Sequence, residues 1–338
     1  MPSITIHDVA DYAGVSRATV SRVLNNNPAV DQALRLRVED AIQALGYQPN
    51  RTARRLRAQS SNVIGLIISD IRNPYFLSII QGVEDVAYAH QMSLILCNSD
   101  EDPTKEQMYL RVMEAEHVAG LIMVPSQSSE EQQLSRLKKI GIPVILLDRV
   151  ADDFEVDAVK VDNERGAADA VRHLIALGYR RIATITGPVH LTTGRERYTG
   201  YRSALEANGL AYDEALVKIG NFKTESGYQL TRELLAMAEP PDAIFVSNNM
   251  MTLGALRALR EQEIRVPQEM ALVGFDDMPW SGDLYSPLTV VSQPTYELGQ
   301  EATNLLLRRL ADPGLPFRTV ILQTRLIVRE SCGAKLRS

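Results

Sequence analysis

Between Val63 and Phe275 the hydrophobic pattern switches repeatedly between two periods. VIGLIIS, starting at Val63, is an aliphatic, β-branched run of the kind found in parallel strands buried on both faces. A helical pattern follows over 75–90, then SLILCN, a helix near 104–115, GLIMVP, a helix near 130–139, and PVILLD. The alternation restarts with AVKVD, a helix at 164–177, RIATIT, a helix at 195–208 and a short strand near 216–219. It continues with a helix at 225–237, AIFVS, a helix at 250–262 and MALVGF. Such alternation leaves few topologies open, because parallel neighbours need crossover helices and those helices must cover both faces of a sheet. Two successive doubly wound α/β units with parallel sheets are expected.

The first sixty residues follow a different rule. Ile6, Val9, Ala10 and Ala13 recur at helical spacing, with Thr5 placed as an N-cap and Asp8 three residues on. Gly14 can end that helix in a left-handed conformation, Val15 is a single apolar plug, and Ser16 can cap a second helix over 17–24. Val20, Val23 and Leu24 point that helix inward, while Arg17, Ala18, Thr19, Ser21 and Arg22 form an outer face without acids. Small hydroxyls and arginines on one helix suit a phosphate-lined groove. Two short helices joined at Gly-Val-Ser describe a helix-turn-helix with Ser16 to Asn25 as recognition helix; an ordinary helical hairpin is the bland alternative. A third helix begins at Asp31 and runs through Leu34, Val38, Ile42 and Leu45 to Gly46. After Pro49, Asn50 can cap a short segment, RTARRLRA, too brief to hold a helix alone in water. Its apolar groups, Ala53 and Leu56, share one face, as expected of a segment that folds on DNA with Leu56 wedged into the minor groove. A solvated linker would look similar.

Charge distribution favours the nucleic-acid reading. The 338-residue chain carries a net −6, yet residues 1–60 hold eight arginines against five acids, so the remainder carries −9. A basic head on an acidic body confines polyanion contact to one end. No apolar run approaches the ~20 residues of a membrane span. The first helix, with Asp8 and Asp11, lacks a secretory core, so a cytoplasmic protein is expected. Cys97 and Cys332 are too few for a disulfide framework, and no histidine or cysteine has metal-ligand spacing. Neither a metal nor another cofactor is expected. G-x-G-x-x-G, G-x-x-x-x-G-K-[ST] and G-x-S-x-G are all absent, and His173 reads as a core or surface residue, so an enzyme has no chemistry to stand on.

The strand ends, where open parallel sheets bind ligands, carry polar and aromatic groups. They include Asn73, Tyr75 and Phe76, then Asp148 and Arg149, Arg197, Phe222, Asn248 with Asn249, Asp276 with Asp277, and Gln293. Carboxylates, amides and arginine bond vicinal hydroxyls, and aromatic faces stack on a sugar ring, so a polar small-molecule pocket between two lobes is expected. Taken singly, an Asp at a strand end is more often a turn or cap residue.

DVADYAGVSRATVSRVLN, YQPNRTARRLR and a body with NPYF, LDR, VDN, ERYTGY, GFDD and SQP resemble the lactose/galactose repressor family over essentially the whole chain. The resemblance implies a helix-turn-helix head over 1–48, a hinge helix and linker over 49–61, and an effector-binding and dimerisation domain over 62–338. The last divides into a first lobe, about 62–161 plus about 293–328, and a second, about 162–292. It implies a homodimeric transcription repressor on palindromic double-stranded operator DNA. Thr5, Ser16, Arg17, Ala18, Thr19, Ser21, Arg22, Asn25, Asn50, Ala53 and Leu56 fall at its DNA-contacting positions. The body is also similar to periplasmic ribose-binding proteins, whose sugar-contacting positions match Asn73, Tyr75, Phe76, Asp148, Arg149, Arg197, Phe222, Asn248, Asp276 and Gln293. Tyr75 replaces a common phenylalanine, and Asn249 a usual aspartate. The purine repressor has an arginine where this chain has Leu191, which favours a monosaccharide over a nucleobase. The competing readings are a nucleobase or sugar-phosphate effector, and a sugar sensor that does not bind DNA.

Overall fold

A computed structural model describes residues 4–24, 27, 29–47, 62–126, 137, 139, 141–150 and 155–337. The chain divides into two compact units, Met1–Ser61 and Asn62–Ser338. Asn25, Asn50, Ala53 and Leu56, with the expected hinge helix and nearly all of the helix expected near 130–139, lie outside the described residues.

Among the described residues the first unit holds three helices, α1 (Ile6–Ala13), α2 (Arg17–Leu24) and α3 (Gln32–Leu45). Val9, Ala10, Ala13, Val20, Val23, Val38 and Ala41 form its core, one apolar stripe from each helix. Asp31 caps α3 by accepting the Ala33 N–H at 2.9 Å. Gly14 and Gly46 end α1 and α3 in the left-handed region, as their positions predicted.

The second unit contains two six-stranded sheets. In the first lobe, β1 (Val63–Ile68), β2 (Ser93–Asn98), β3 (Gly120–Met123), β4 (Val144–Leu147), β5 (Asp157–Val161) and β11 (Thr319–Leu322) run in the order β11-β5-β4-β3-β1-β2, all parallel. In the second, β6 (Ile182–Thr186), β7 (Val217–Ile219), β8 (Ala243–Val246), β9 (Ala271–Phe275), β10 (Thr289–Ser292) and β12 (Arg325–Ile327) give β12-β10-β9-β8-β6-β7. Only the β10–β12 pair there is antiparallel. In each lobe the first strand sits between its second and third, so the order reverses there and a crevice opens at the carboxyl ends.

Among the described residues, the complete helices of the first lobe are α4 (Tyr75–Ala89), α5 (Pro103–Ala115) and α10 (Thr295–Ala311). Those of the second are α6 (Asn163–Ala176), α7 (Thr192–Ala207), α8 (Thr224–Leu235), α9 (Asn249–Glu261) and the short α11 (Ala334–Arg337). Strands β1, β3, β4, β6, β8 and β9 are buried throughout, which is why they read as unbroken aliphatic runs.

The chain passes between the lobes three times, at 161–163, 292–295 and 322–325. The third passage corrects the expected extent of the first lobe, which was taken to about 328. Only Gln323 and Thr324 separate β11 from β12, and β12 pairs with β10 of the second sheet. Ser331 is stitched there too, its Oγ donating to the Leu272 carbonyl at 2.6 Å, and Cys332 is packed in the second lobe's core. Residues 325–337 therefore belong to the second lobe. The first lobe holds its returning segment through a buried ion pair, Arg309 to Asp157 at 2.8 Å.

Candidate functional site

Two surfaces carry chemistry, and each is built by short-range sequence choices. On the head, the Ser16 hydroxyl accepts the Thr19 N–H at 3.1 Å, satisfying one of the free donors at the start of α2. Ser16, Arg17, Ala18 and Arg22 are exposed and Thr19 and Ser21 half-buried, with no acid anywhere on the helix. Thr5 is exposed, and its N–H and hydroxyl both donate to the Asp8 carboxylate, at 2.7 and 2.8 Å. The backbone bond from Thr5, followed by its hydroxyl, holds Asp8 below the ordinary carboxylate pKa. Arg37 of α3 clamps the turn between α1 and α2, donating to the Ala13 carbonyl at 2.6 Å. Gly14 has φ +61°, and a Cβ there would stand 2.9 Å from that guanidinium. Arg35 donates to the Asn27 carbonyl at 2.9 Å. Two of the eight head arginines thus hold the fold together, so the charge count alone overstates the arginine set free to meet phosphates.

In the second unit, the ten residues matched to sugar-contacting positions all line one cleft of about 430 Å³, open mouth included, while Asn249 and Asp277 of the strand-end set do not. Asn73, Tyr75 and Phe76 enter from the loop after β1 and the start of α4, and Asp148 and Arg149 from the end of β4. Arg197 projects from α7, Phe222 follows β7, Asn248 follows β8, Asp276 follows β9, and Gln293 starts the second passage between lobes. Asp148, Phe222 and Asp276 have φ of 66°, 63° and 76°, and Asp100 and Glu101 nearby have 55° and 59°. Five of the eight non-glycine left-handed residues among those described thus cluster at this cleft. Backbone strain of that kind persists where surrounding contacts fix it, and it turns each side chain back across its strand end. Gly187 makes the room this requires, since a Cβ there would lie 2.0 Å from the Phe222 ring.

The polar groups are arranged as pairs. Arg149 donates through both Nη atoms to Glu101, at 2.7 Å each, and to the Pro125 carbonyl at 3.1 Å. Arg197 donates to Asn163 Oδ1 at 2.8 Å and to the Ser247 carbonyl at 2.6 Å, with its guanidinium 3.8 Å over the Phe275 ring. Lys223 reaches across from the second lobe to Asp70 at 2.6 Å and Asp100 at 3.2 Å in the first. The Tyr75 hydroxyl donates to Asp148 Oδ1 at 2.8 Å and lies 3.2 Å from Gln293 Oε1, while Gln293 Nε2 donates to Asp276 Oδ1 at 2.5 Å. Burial pushes Asp148 and Asp276 upward in pKa against the pull of Arg197. Asp70 moves the other way, because its bonds to Lys223 and Arg72 outweigh the effect of burial.

A chain with an arginine-faced recognition helix and this cleft can be set beside known proteins. Residues 5–50 match the family described as bacterial regulatory proteins, lacI family, and residues 171–332 match a periplasmic binding protein-like domain. The ribose operon repressor of Halalkalibacterium halodurans is 36% identical over 97% of this chain and 96% of its own length. The chain belongs to the lacI family of bacterial regulatory proteins.

It is accordingly a DNA-binding transcription regulator of the repressor type and not an enzyme. A lac repressor dimer, solved bound to operator and the anti-inducer ONPF, is 30% identical and superposes with a TM-score of 0.85 over 98% of this chain and 99% of that one. A lacI-family regulator from Enterococcus faecium with bound ribose is 32% identical, with a TM-score of 0.72 over 80% of this chain and 98% of that one. No helix among the described residues is long and apolar enough to cross a membrane, and no three potential ligands gather there for a metal.

Five cleft residues of this lacI-family regulator escaped the sequence reading: Ser69, Asp70, Glu101, Thr193 and Lys223. Thr193 was hidden because α7 starts at Thr192, three residues before the helix predicted at 195. Asn163, which orients Arg197, was legible only as part of the VDN motif. The turn-and-cap alternative is also right in part. Asn248 caps α9 through its Oδ1 (Met251 N–H, 3.0 Å) while lining the cleft, and Asp277 leaves the cleft for a two-pronged pair with Arg329 at 2.9 Å. His173 is half-buried, its Nε2 3.3 Å from the thiol of Cys332.

Proposed function

We propose that the chain is a cytoplasmic, homodimeric repressor whose grip on a palindromic operator is set by a neutral monosaccharide held between its two lobes. One observation carries the ligand class. Two cations facing the cleft are already ion-paired, Arg149 with Glu101 and Lys223 with Asp70, and Arg197 is hydrogen-bonded to Asn163 and the Ser247 carbonyl. A phosphate would have to break one of these pairs, whereas uncharged hydroxyls can join them as donors and acceptors. Phe76 and Phe222 supply faces for the C–H side of a sugar ring. Leu191 is buried and apolar and does not line the cleft, which gives a nucleobase no matching donor there. The relatives named for ribose, and the neighbour with ribose bound, point the same way.

Asn73, Tyr75, Phe76, Asp148, Arg149, Arg197, Phe222, Asn248, Asp276 and Gln293 are the proposed effector contacts. Thr5, Ser16, Arg17, Ala18, Thr19, Ser21 and Arg22, with Asn25, Asn50, Ala53 and Leu56 from the resemblance, are the proposed DNA contacts. The domain limits proposed are 1–48, 49–61 and 62–338. Because both lobes contribute cleft atoms, a bound sugar favours one lobe angle over another by its differential contacts, which is the free energy available to alter operator affinity. A thermal-shift screen of pentoses, hexoses and their phosphates, followed by a gel shift on operator DNA with each hit, tests the proposal. A neutral monosaccharide should both raise the melting temperature and change operator affinity; stabilisation by phosphorylated sugars alone would overturn it.

A further inference from the structure

We propose that the Tyr75 hydroxyl stands in for one hydroxyl of the ligand, so that the cleft selects a monosaccharide lacking a hydroxyl at that point over its fully hydroxylated parent. The inference rests on the monosaccharide reading above and makes it more specific. Tyr75 is 5% exposed and packs in the first lobe's core beside Ile64, Leu66 and Met278, its ring edge-on to Phe76 at 5.0 Å and 80°. That packing fixes where the phenol oxygen lies.

The oxygen sits between two of the best acceptors in the cleft, 2.8 Å from Asp148 Oδ1 and 3.2 Å from Gln293 Oε1. Gln293 cannot turn its carbonyl away without breaking the hydrogen bond its Nε2 donates to Asp276 Oδ1 at 2.5 Å. Asp148 is itself held by a left-handed backbone at φ 66°. A sugar hydroxyl aimed at this pair of acceptors would meet an oxygen already in place. Two buried polar atoms elsewhere in the cleft, Arg149 Nε and Thr193 Oγ1, have no partner among the described residues. Both are buried, and a group of that kind gains by being paired. The cleft therefore has a satisfied polar corner at Tyr75 and unsatisfied atoms at Arg149 and Thr193.

A site built to bond a hydroxyl rejects the analogue lacking it, and a site whose own hydroxyl fills that place does the reverse. Titration calorimetry on the full-length protein and on Tyr75→Phe tests this with D-ribose, D-xylose, D-glucose and D-galactose, each beside its monodeoxy derivatives. For the wild type, at least one monodeoxy sugar should bind about tenfold tighter than its parent. In Tyr75→Phe, where Asp148 and Gln293 are left without that donor, the preference should reverse for the same pair. A wild type that prefers the parent in every pair overturns the proposal whether or not the variant folds. So does a variant that shifts parent and deoxy sugars by the same factor. If none of these sugars binds the wild type, the monosaccharide reading itself fails, and this inference with it.

Discussion

The two units use arginine in opposite ways. On α2, Arg17 and Arg22 stand exposed on a helix without a single acid, and Arg17 lies 3.0 Å from His7 Nε2. In the cleft, Arg149 and Arg197 are buried, Arg149 paired with Glu101 and Arg197 hydrogen-bonded to Asn163 and the Ser247 carbonyl. Exposed, uncompensated guanidinium groups gain by displacing counterions from a polyanion, so they set affinity and its salt dependence. Buried, compensated ones gain little from a further charge; they orient acceptors and donors around a neutral ligand. On the proposed reading, the same residue type meets phosphate in one unit and lines the effector cleft in the other.

Arg197→Ala tests the buried half of this contrast most severely. It would leave Asp148 and Asp276 buried, both already pushed upward in pKa, without the guanidinium that opposes them. The bonds from its guanidinium to Asn163 Oδ1 and the Ser247 carbonyl would be lost with it. Effector binding by calorimetry should fall by at least about a hundredfold, while operator affinity in the absence of effector stays within about twofold. A variant that keeps its sugar affinity but loses operator binding would reverse the roles assigned to the two units.

Glu106 sharpens the comparison, because it is a buried acid of the body with no ion pair among the described residues, although the charge of Arg149 acts on it. Its Oε2 accepts the Ser126 N–H at 2.8 Å, and its Oε1 has no partner among the described residues. Burial raises its pKa to about 7 from an ordinary 4.5. The folded chain then keeps this proton up to about pH 7, whereas the unfolded chain releases it near 4.5. Stability conferred by the group is therefore full at low pH and falls as pH climbs through that window. Glu106→Gln should match the wild type near pH 4.5 and exceed it by up to roughly 3 kcal/mol at pH 8 in urea unfolding. Equal stabilities at both pH values would show that the carboxylate is solvated instead.

On the exposed side, Arg22→Ala should weaken operator binding by about 1–3 kcal/mol and, if the contact is to phosphate, reduce the salt slope by about one. Loss of sequence preference with an unchanged slope would move Arg22 to a base edge. Effector affinity should not move in either case.

Pattern carried the fold furthest where burial was complete. The strands between Val63 and Phe275 were legible because aliphatic runs buried on both faces have no other soluble solution. The helix-turn-helix was legible because Thr5, Gly14, Ser16, Asp31 and Gly46 each do a local job that few residue types can do. The third passage between lobes was not, since β12 is one exposed and two half-buried residues whose place depends on pairing with β10 rather than on any period of its own. In the cleft, the ten expected side chains came from strand ends, a rule of topology. Asp70, Glu101 and Lys223 escaped because they belong there as counter-charges, and which carboxylate faces which cation is a tertiary fact. Thr193 escaped through a helix start misplaced by one turn.

The smallest effect is expected at Lys223, where cleft and solvent meet. Its ammonium bridges Asp70 at 2.6 Å and Asp100 at 3.2 Å, so it joins the second lobe to the first. Arg72 serves both acids as well, at 3.1 Å to Asp70 and 2.8 Å to Asp100, and the lysine side chain is 28% exposed. A cation with a standby partner and access to water contributes little, about 0–1 kcal/mol, and less in high salt. Lys223→Met should therefore change effector affinity by less than about fivefold at 50 mM salt and by less still at 500 mM. A loss approaching that of Arg197→Ala would mean that Lys223 touches the ligand directly. The cleft would then hold a cation available to an anion, and the contrast with the head would narrow to one of burial alone.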